Sequence, residues 1–129
     1  MAPPILPEDV VRFIHRDIHS VLQLEILLLM RERAGEWTPA AVANELRVTD
    51  QSAELHLRDL LLRGLLGASS PGGAYCYAPK SAELRVLVDE LAACYAATRY
   101  TVINLIFSEP GDSARTLAEA FRFRRKRED

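Results

Sequence analysis

The chain has 129 residues, of which 49 % are apolar and 26 % charged, and its formal net charge is −2. This balance fits one compact globular domain and excludes collagen-like, low-complexity and wholly disordered chains. Two isolated cysteines, Cys76 and Cys94, exclude a disulfide scaffold and a paired-cysteine metal knuckle; they read as packed side chains of a cytoplasmic protein.

The first residues, Met1 to Pro7, lack the basic and long apolar regions of a secretory signal and read as an extended arm. Pro7 and Glu8 open a short helix with Val10, Phe13, Ile14 and Ile18 at helical spacing, so arm and helix occupy residues 1–19. Ser20 caps a second helix running to about Ala34, before Gly35. Its apolar run from Val21 to Met30 is broken by Gln23 and Glu25, short of the ~20 residues needed to span a membrane. Because it is apolar on nearly every side, this helix is expected at the centre of the core.

Thr38-Pro39 predicts a third helix, to Leu46, with a side-chain cap followed by a proline at the position that needs no donor. After a tight link at Arg47-Val48, Thr49 caps a fourth helix to Arg63, which stops at Gly64. Val48, Ala53, Leu57 and Leu60 should face the core. Leu65-Leu66 and Tyr75-Cys76-Tyr77, flanking a glycine-proline-serine turn, predict a β-hairpin. Ser81 then caps one long helix to about Ser108, stopped by Glu109-Pro110-Gly111. A last short helix begins at Asp112, with Ala114, Leu117 and Phe121 on one face, and ends in a basic tail.

Helix, tight turn, second helix ending in glycine, then hairpin is the plan of a winged helix-turn-helix. Thr38 to Leu46 and Leu57-Arg58-Asp59-Leu60-Leu61-Leu62-Arg63-Gly64-Leu65-Leu66 resemble the MarR and PadR groups of bacterial repressors. The expected fold is therefore mainly α: a three-helix core with a short β-hairpin wing over 20–79, a long dimerisation helix over 80–111, and a short helix with basic tail over 112–129. The resemblance implies that the Thr49 to Arg63 helix enters the DNA major groove and the Ser69 to Ala74 turn lies along the backbone or minor groove. The implied function is that of a dimeric DNA-binding transcriptional regulator of double-stranded DNA. Thr49, Gln51, Ser52, Glu54 and Arg58 would read or position, while Arg47, Arg124, Arg125 and Arg127 would hold phosphate.

Charge favours a second reading as well. From Glu36 to Pro79 three basic residues (Arg47, Arg58, Arg63) face five acidic ones (Glu36, Glu45, Asp50, Glu54, Asp59), whereas DNA affinity rests largely on cations that displace counterions. The compensating cations stand in the tail, where Arg115, Arg122, Arg124, Arg125, Lys126 and Arg127 outnumber Glu119. The alternative is a winged helix that binds a protein partner through its acidic, leucine-bearing face (Leu55, Leu61, Leu62), with little or no DNA binding.

In the long helix Leu84, Leu91, Thr98 and Leu105 recur every seven residues with Val88, Tyr95 and Val102 between them, a seam that predicts a homodimer. The same stripe would equally serve a helix packed within one chain. An effector between the long helices, near Tyr95, Arg99 and Tyr100, is a third possibility. His15 and His19 lack a third convergent ligand and read as surface or capping residues, and His56 as semi-buried. No phosphate loop, nucleophile elbow or nucleophile–base pair occurs, so no enzyme activity, metal or cofactor is expected.

Overall fold

The computed structural model describes residues 6–69 and 73–108. Six helices and a small antiparallel sheet follow in the order α1 (Glu8–Asp17), α2 (Val21–Glu32), α3 (Pro39–Leu46), α4 (Asp50–Leu62), β1 (Leu66–Ala68), β2 (Tyr75–Tyr77), α5 (Ala82–Ala97) and α6 (Arg99–Phe107). The winged helix-turn-helix is present as the sequence predicts. Ser20, Thr38, Thr49 and Ser81 each accept the backbone N–H three residues on, closing the four helix starts expected at them.

The core runs through α2. Leu24, Ile26, Leu27 and Met30 are buried there, joined by Phe13 and Ile14 of α1, Ala53, Leu57 and Leu60 of α4, and Leu84, Val88 and Leu91 of α5. Val48 packs half-buried against this cluster. Helix α4 ends in a Schellman motif: Leu65 N–H reaches Leu60 O at 3.1 Å and Gly64 N–H reaches Leu61 O at 3.0 Å. Gly64 makes the reversal at φ +79, a conformation other residues adopt at a cost.

In the wing, Leu66 pairs with Tyr77 and Ala68 with Tyr75, so β1 begins one residue later than the Leu65-Leu66 pair suggests. The hairpin also has an outer neighbour. Trp37 exchanges both backbone hydrogen bonds with Tyr75, at 2.7 and 2.8 Å, and so ties the entry to α3 to the wing. The tip at residues 70–72 lies outside the described residues.

One expectation is corrected. The single helix anticipated over 81–108 divides at Thr98 into α5 and α6, and α6 turns back so that both helices pack on α1. The turn buries Val102, Leu105 and Ile106 within the chain's own core. The short helix expected from Asp112 lies outside the described residues.

A polar knot behind α4 fixes its orientation. Arg63 Nε donates to Asp59 Oδ2 at 2.9 Å, and its Nη1 donates to Arg16 O at 2.6 Å and Asp17 Oδ1 at 3.2 Å. Gln23, only 1 % exposed, donates its amide to Asp59 and accepts His19 N–H at 2.6 Å. The knot thereby joins the end of α4 to the α1–α2 corner. Burial raises the Asp59 pKa, but hydrogen bonds from Arg63 and Gln23 outweigh it and hold the carboxyl below its ordinary value.

Removing Arg63 leaves Asp17 with Arg16, whose Nε donates to Asp17 Oδ2 at 2.8 Å, but takes away the guanidinium that ties Asp59 to the Arg16 carbonyl, so Arg63→Met should lower stability by about 1–2 kcal/mol in urea unfolding. Asp59→Asn should cost about 1 kcal/mol near neutral pH, since this carboxylate is partly solvated. The depressed carboxyl stabilises the fold above its unfolded pKa and loses that contribution as pH falls through the lower folded value. The gap between Asp59→Asn and the parent should therefore close as pH drops below about 4, and a gap independent of pH would contradict the assignment.

Candidate nucleic-acid interface

The exposed side of the helix-turn-helix is built from the turn outward. Arg47 ends α3 in the left-handed conformation, φ 59, and is the described non-glycine residue with positive φ. Its N–H closes onto Ala43 O, as does that of Val48, and the chain reverses into Thr49. Thr49 Oγ1 accepts Ser52 N–H at 3.1 Å, so this hydroxyl is committed to capping α4, whose first turn carries Asp50 against the positive helix end.

Arg47, Thr49, Gln51 and Arg58 are exposed, whereas Ser52 and Glu54 are half-buried. A shallow hollow lined by Ala40, Asn44, Arg47 and Asp50 separates the end of α3 from the start of α4. Asn44 has no sequence signal of its own beyond its place three residues before Arg47, and so on the same side of α3. Glu54 accepts from Arg58 at 3.0 Å, one turn on, and the two neutralise each other.

These pairings change the meaning of the acidic count. Glu45 is bridged by Arg33, Glu54 by Arg58 and Asp59 by Arg63, leaving Glu36 and Asp50 without an ion pair among the described residues. Arg47 has none either. It is thus an uncommitted cation beside the front of α4. Arg124, Arg125 and Arg127 lie outside the described residues.

The leucines of α4 separate. Leu61 packs against the core, while Leu55 and Leu62 are 62 % and 80 % exposed. His56 is half-buried; burial lowers its pKa and Asp59 opposes this less strongly, which favours a neutral ring at pH 7. His15 bonds at Nε2 to Leu105 O and Ser108 Oγ and so links α1 to the end of α6, while His19 bonds to Arg16 O three residues earlier, at the end of α1. No metal-ligating cluster occurs among the described residues.

The seven-residue seam is found largely inside the chain. Leu84, Val88, Leu91, Val102 and Leu105 are buried against the core, Tyr95 is half-buried, and Thr98 is the point of bending. In this fold the stripe has little area left for another copy, because α1 already covers it. Apolar side chains off the stripe, Val86, Tyr100 and Phe107, are exposed instead. No helix among the described residues is long and apolar enough to cross a membrane.

No protein-family model matches the sequence, and no curated protein matches it significantly. Solved structures do match. The homodimeric winged helix-turn-helix DNA-binding domain of Mb0332 from Mycobacterium bovis aligns with a TM-score of 0.54 at 20 % identity, covering 76 % of this chain and 93 % of that one. Sco5413, a MarR family transcriptional regulator from Streptomyces coelicolor, gives 0.55 at 16 % identity over 94 % of this chain and 84 % of that one. A ZitR mutant from Lactococcus lactis gives 0.51 at 16 % identity over 85 % and 75 %. At these identities the likeness establishes the winged helix-turn-helix fold.

The left-handed Arg47 supplies a test of the turn. Replacing it with glycine relieves about 1 kcal/mol of steric cost and adds about 0.4–1 kcal/mol of unfolded-state entropy. Arg47→Gly should therefore unfold within about 0.5 kcal/mol of the parent, while Arg47→Val, β-branched at positive φ, should lose about 1–2 kcal/mol more. Equal thermal stability for the two variants would show that the turn is not left-handed in solution.

Proposed function

We propose that this chain is a dimeric, non-catalytic transcriptional regulator that binds double-stranded DNA through paired winged helices. The observation that carries the reading is the front of α4: Gln51 is exposed, Arg47 is exposed without an ion pair among the described residues, and the helix is anchored from behind by Arg63. A helix so held can enter a major groove as a rigid body, with Gln51 suited to the two edge groups of adenine. The likeness to a homodimeric DNA-binding domain and to a MarR family regulator supports the same reading.

The electrostatic share falls on few cations. Arg47 would contact phosphate beside the turn, and Arg124, Arg125 and Arg127 would add the sequence-independent contacts that the wing helices lack. Glu54 and Arg58 act as a pair: an approaching phosphate would draw Arg58 away and free Glu54 to accept from cytosine. Exposed Leu55 and Leu62 favour a second reading, in which α4 docks on a protein.

Fluorescence anisotropy with duplex DNA between about 50 and 200 mM salt separates the two. Affinity should fall steeply with salt; Arg47→Gly should weaken binding and flatten the logarithmic slope by about 0.9 for each phosphate it no longer neutralises. Gln51→Ala should reduce discrimination among sequences by about 1–3 kcal/mol, and alanine at Arg124, Arg125 and Arg127 should weaken all sequences alike. Absence of binding at the lowest salt would overturn the DNA reading. A stoichiometric protein partner that no longer binds Leu55→Glu would establish the other.

A further inference from the structure

Between α1 and α5 lies an apolar hollow whose acidic rim is not neutralised. Among the described residues it is lined by Asp9, Ala82, Glu83, Val86 and Leu87. Val86 on its floor is 53 % exposed and Leu87 half-buried. Glu83, Val86, Leu87 and Glu90 recur three and four residues apart, which puts them on one face of α5. Asp9, Glu83 and Glu90 make no ion pair among the described residues. The Cys94 thiol senses two of these carboxylates: burial raises its pKa most, and Glu90 and Asp9 raise it further. The nearby cations are engaged elsewhere, for Arg85 stacks on the Tyr77 ring at 5.6 Å and Arg31 binds Asp89. Arg12 of α1 is exposed but does not line the hollow.

Chemistry narrows what can cover this surface. Three carboxylates repel DNA. A second copy seated here about a twofold axis would bring the same carboxylates face to face. Residues 1–5 carry no charged side chain. The basic segment beyond α6 has both of the properties required. Between Ser113 and Arg127 six cations stand against Glu119; read as a helix, the segment puts Ala114, Leu117 and Phe121 on one face with Arg115 and Arg122 along its edge. The chain also leaves α6 within reach. Ser108 Oγ lies 3.1 Å from His15 Nε2, and His15 is about 9 Å along α1 from Asp9, whereas the stretch from Ser108 to Leu117 spans up to ~30 Å.

We propose that segment 112–127 docks in the α1–α5 hollow of its own chain when no DNA is bound, with Leu117 and Phe121 over Val86 and Leu87 and the arginines on Asp9, Glu83 and Glu90. The contact is autoinhibitory: arginines held in the hollow are withheld from phosphate, so the hollow and the duplex compete for the same cations. The docking stands on the hollow and the segment alone, while the competition rests on the DNA-binding reading above.

Paramagnetic relaxation in the full chain reads the docking. A nitroxide on Ala120→Cys, in a chain carrying Cys76→Ala and Cys94→Ala, should broaden the amides of Glu83, Val86 and Leu87 at about 50 mM salt. The broadening should survive dilution of tagged, isotope-labelled copies into plain ones, and saturating duplex DNA should abolish it. No broadening without DNA overturns the docking and leaves the DNA reading intact. Broadening lost on dilution places the segment on a second copy and overturns docking within the chain, and broadening that persists on bound DNA overturns the competition. DNA affinity is the second measurement. Val86→Ser removes the apolar floor at an exposed position without changing charge; for a segment docked about four-fifths of the time, it should bind duplex about fivefold more tightly. The gain should vanish when Arg115, Arg122, Arg124 and Arg125 are all changed to glutamine. Equal affinities of Val86→Ser and the parent would refute the autoinhibition. A parent that binds no duplex at any salt overturns the DNA reading and the competition with it, and the broadening still decides the docking.

Discussion

The candidate interface depends on the contact of Arg63 with the corner between α1 and α2. A helix of thirteen residues with a three-residue apolar stripe, Ala53, Leu57 and Leu60, is free to roll on its core, since hydrophobic contact has no direction. The guanidinium removes that freedom. It engages Asp59 on its own helix and Asp17 and the Arg16 carbonyl on α1, while buried Gln23 holds Asp59 from the other side. Hydrogen bonds are directional, and leaving those of buried Gln23 and Asp17 unmade is costly, so the knot favours one roll angle for α4.

Pairing, within this knot and on the surface outside it, accounts for much of the charge that makes the winged segment look hostile to a polyanion. Asp59, half-buried behind α4, is engaged by Arg63 and Gln23 as a structural acceptor, Glu45 is occupied by Arg33 and Glu54 by Arg58. A charge count along the sequence treats every carboxylate as facing solvent, and pairing changes the outcome for three of the five. Arg63 also leaves the inventory of cations, since its donors are committed behind the helix. The balance on the outward face is consequently closer to neutral, with Arg47 distinguished by its backbone conformation and its lack of an ion pair among the described residues.

The wing is stapled to the opposite end of the motif by Trp37. This residue reads from sequence as part of a loop between Gly35 and the Thr38 cap, because no alternation surrounds it. Its strand-like pairing with Tyr75 requires a partner nearly forty residues away, which periodicity cannot register. Asn44 is hidden in the sequence for a related reason: an exposed polar residue on a short helix carries no pattern, and it becomes notable only when Arg47 and Asp50 stand beside the same hollow.

Local chemistry by itself determined the number of helices in the winged domain and their starts at Ser20, Thr38 and Thr49, the start of α5 at Ser81, the stop at Gly64 and the existence of the hairpin. Each of these is set by hydrogen bonds or backbone angles within a few residues, so neighbours in sequence suffice to specify them. Tertiary structure decided which carboxylates face inward, how α4 is rolled, and where the last helix turns at Thr98, because those outcomes follow from burial and pairing between distant segments. The apolar seam past Ser81 shows the boundary between the two. Its spacing dictates that Val102 and Leu105 must be covered, but a spacing is satisfied by any apolar partner, and only the folded chain reveals that α1 is the surface that covers them.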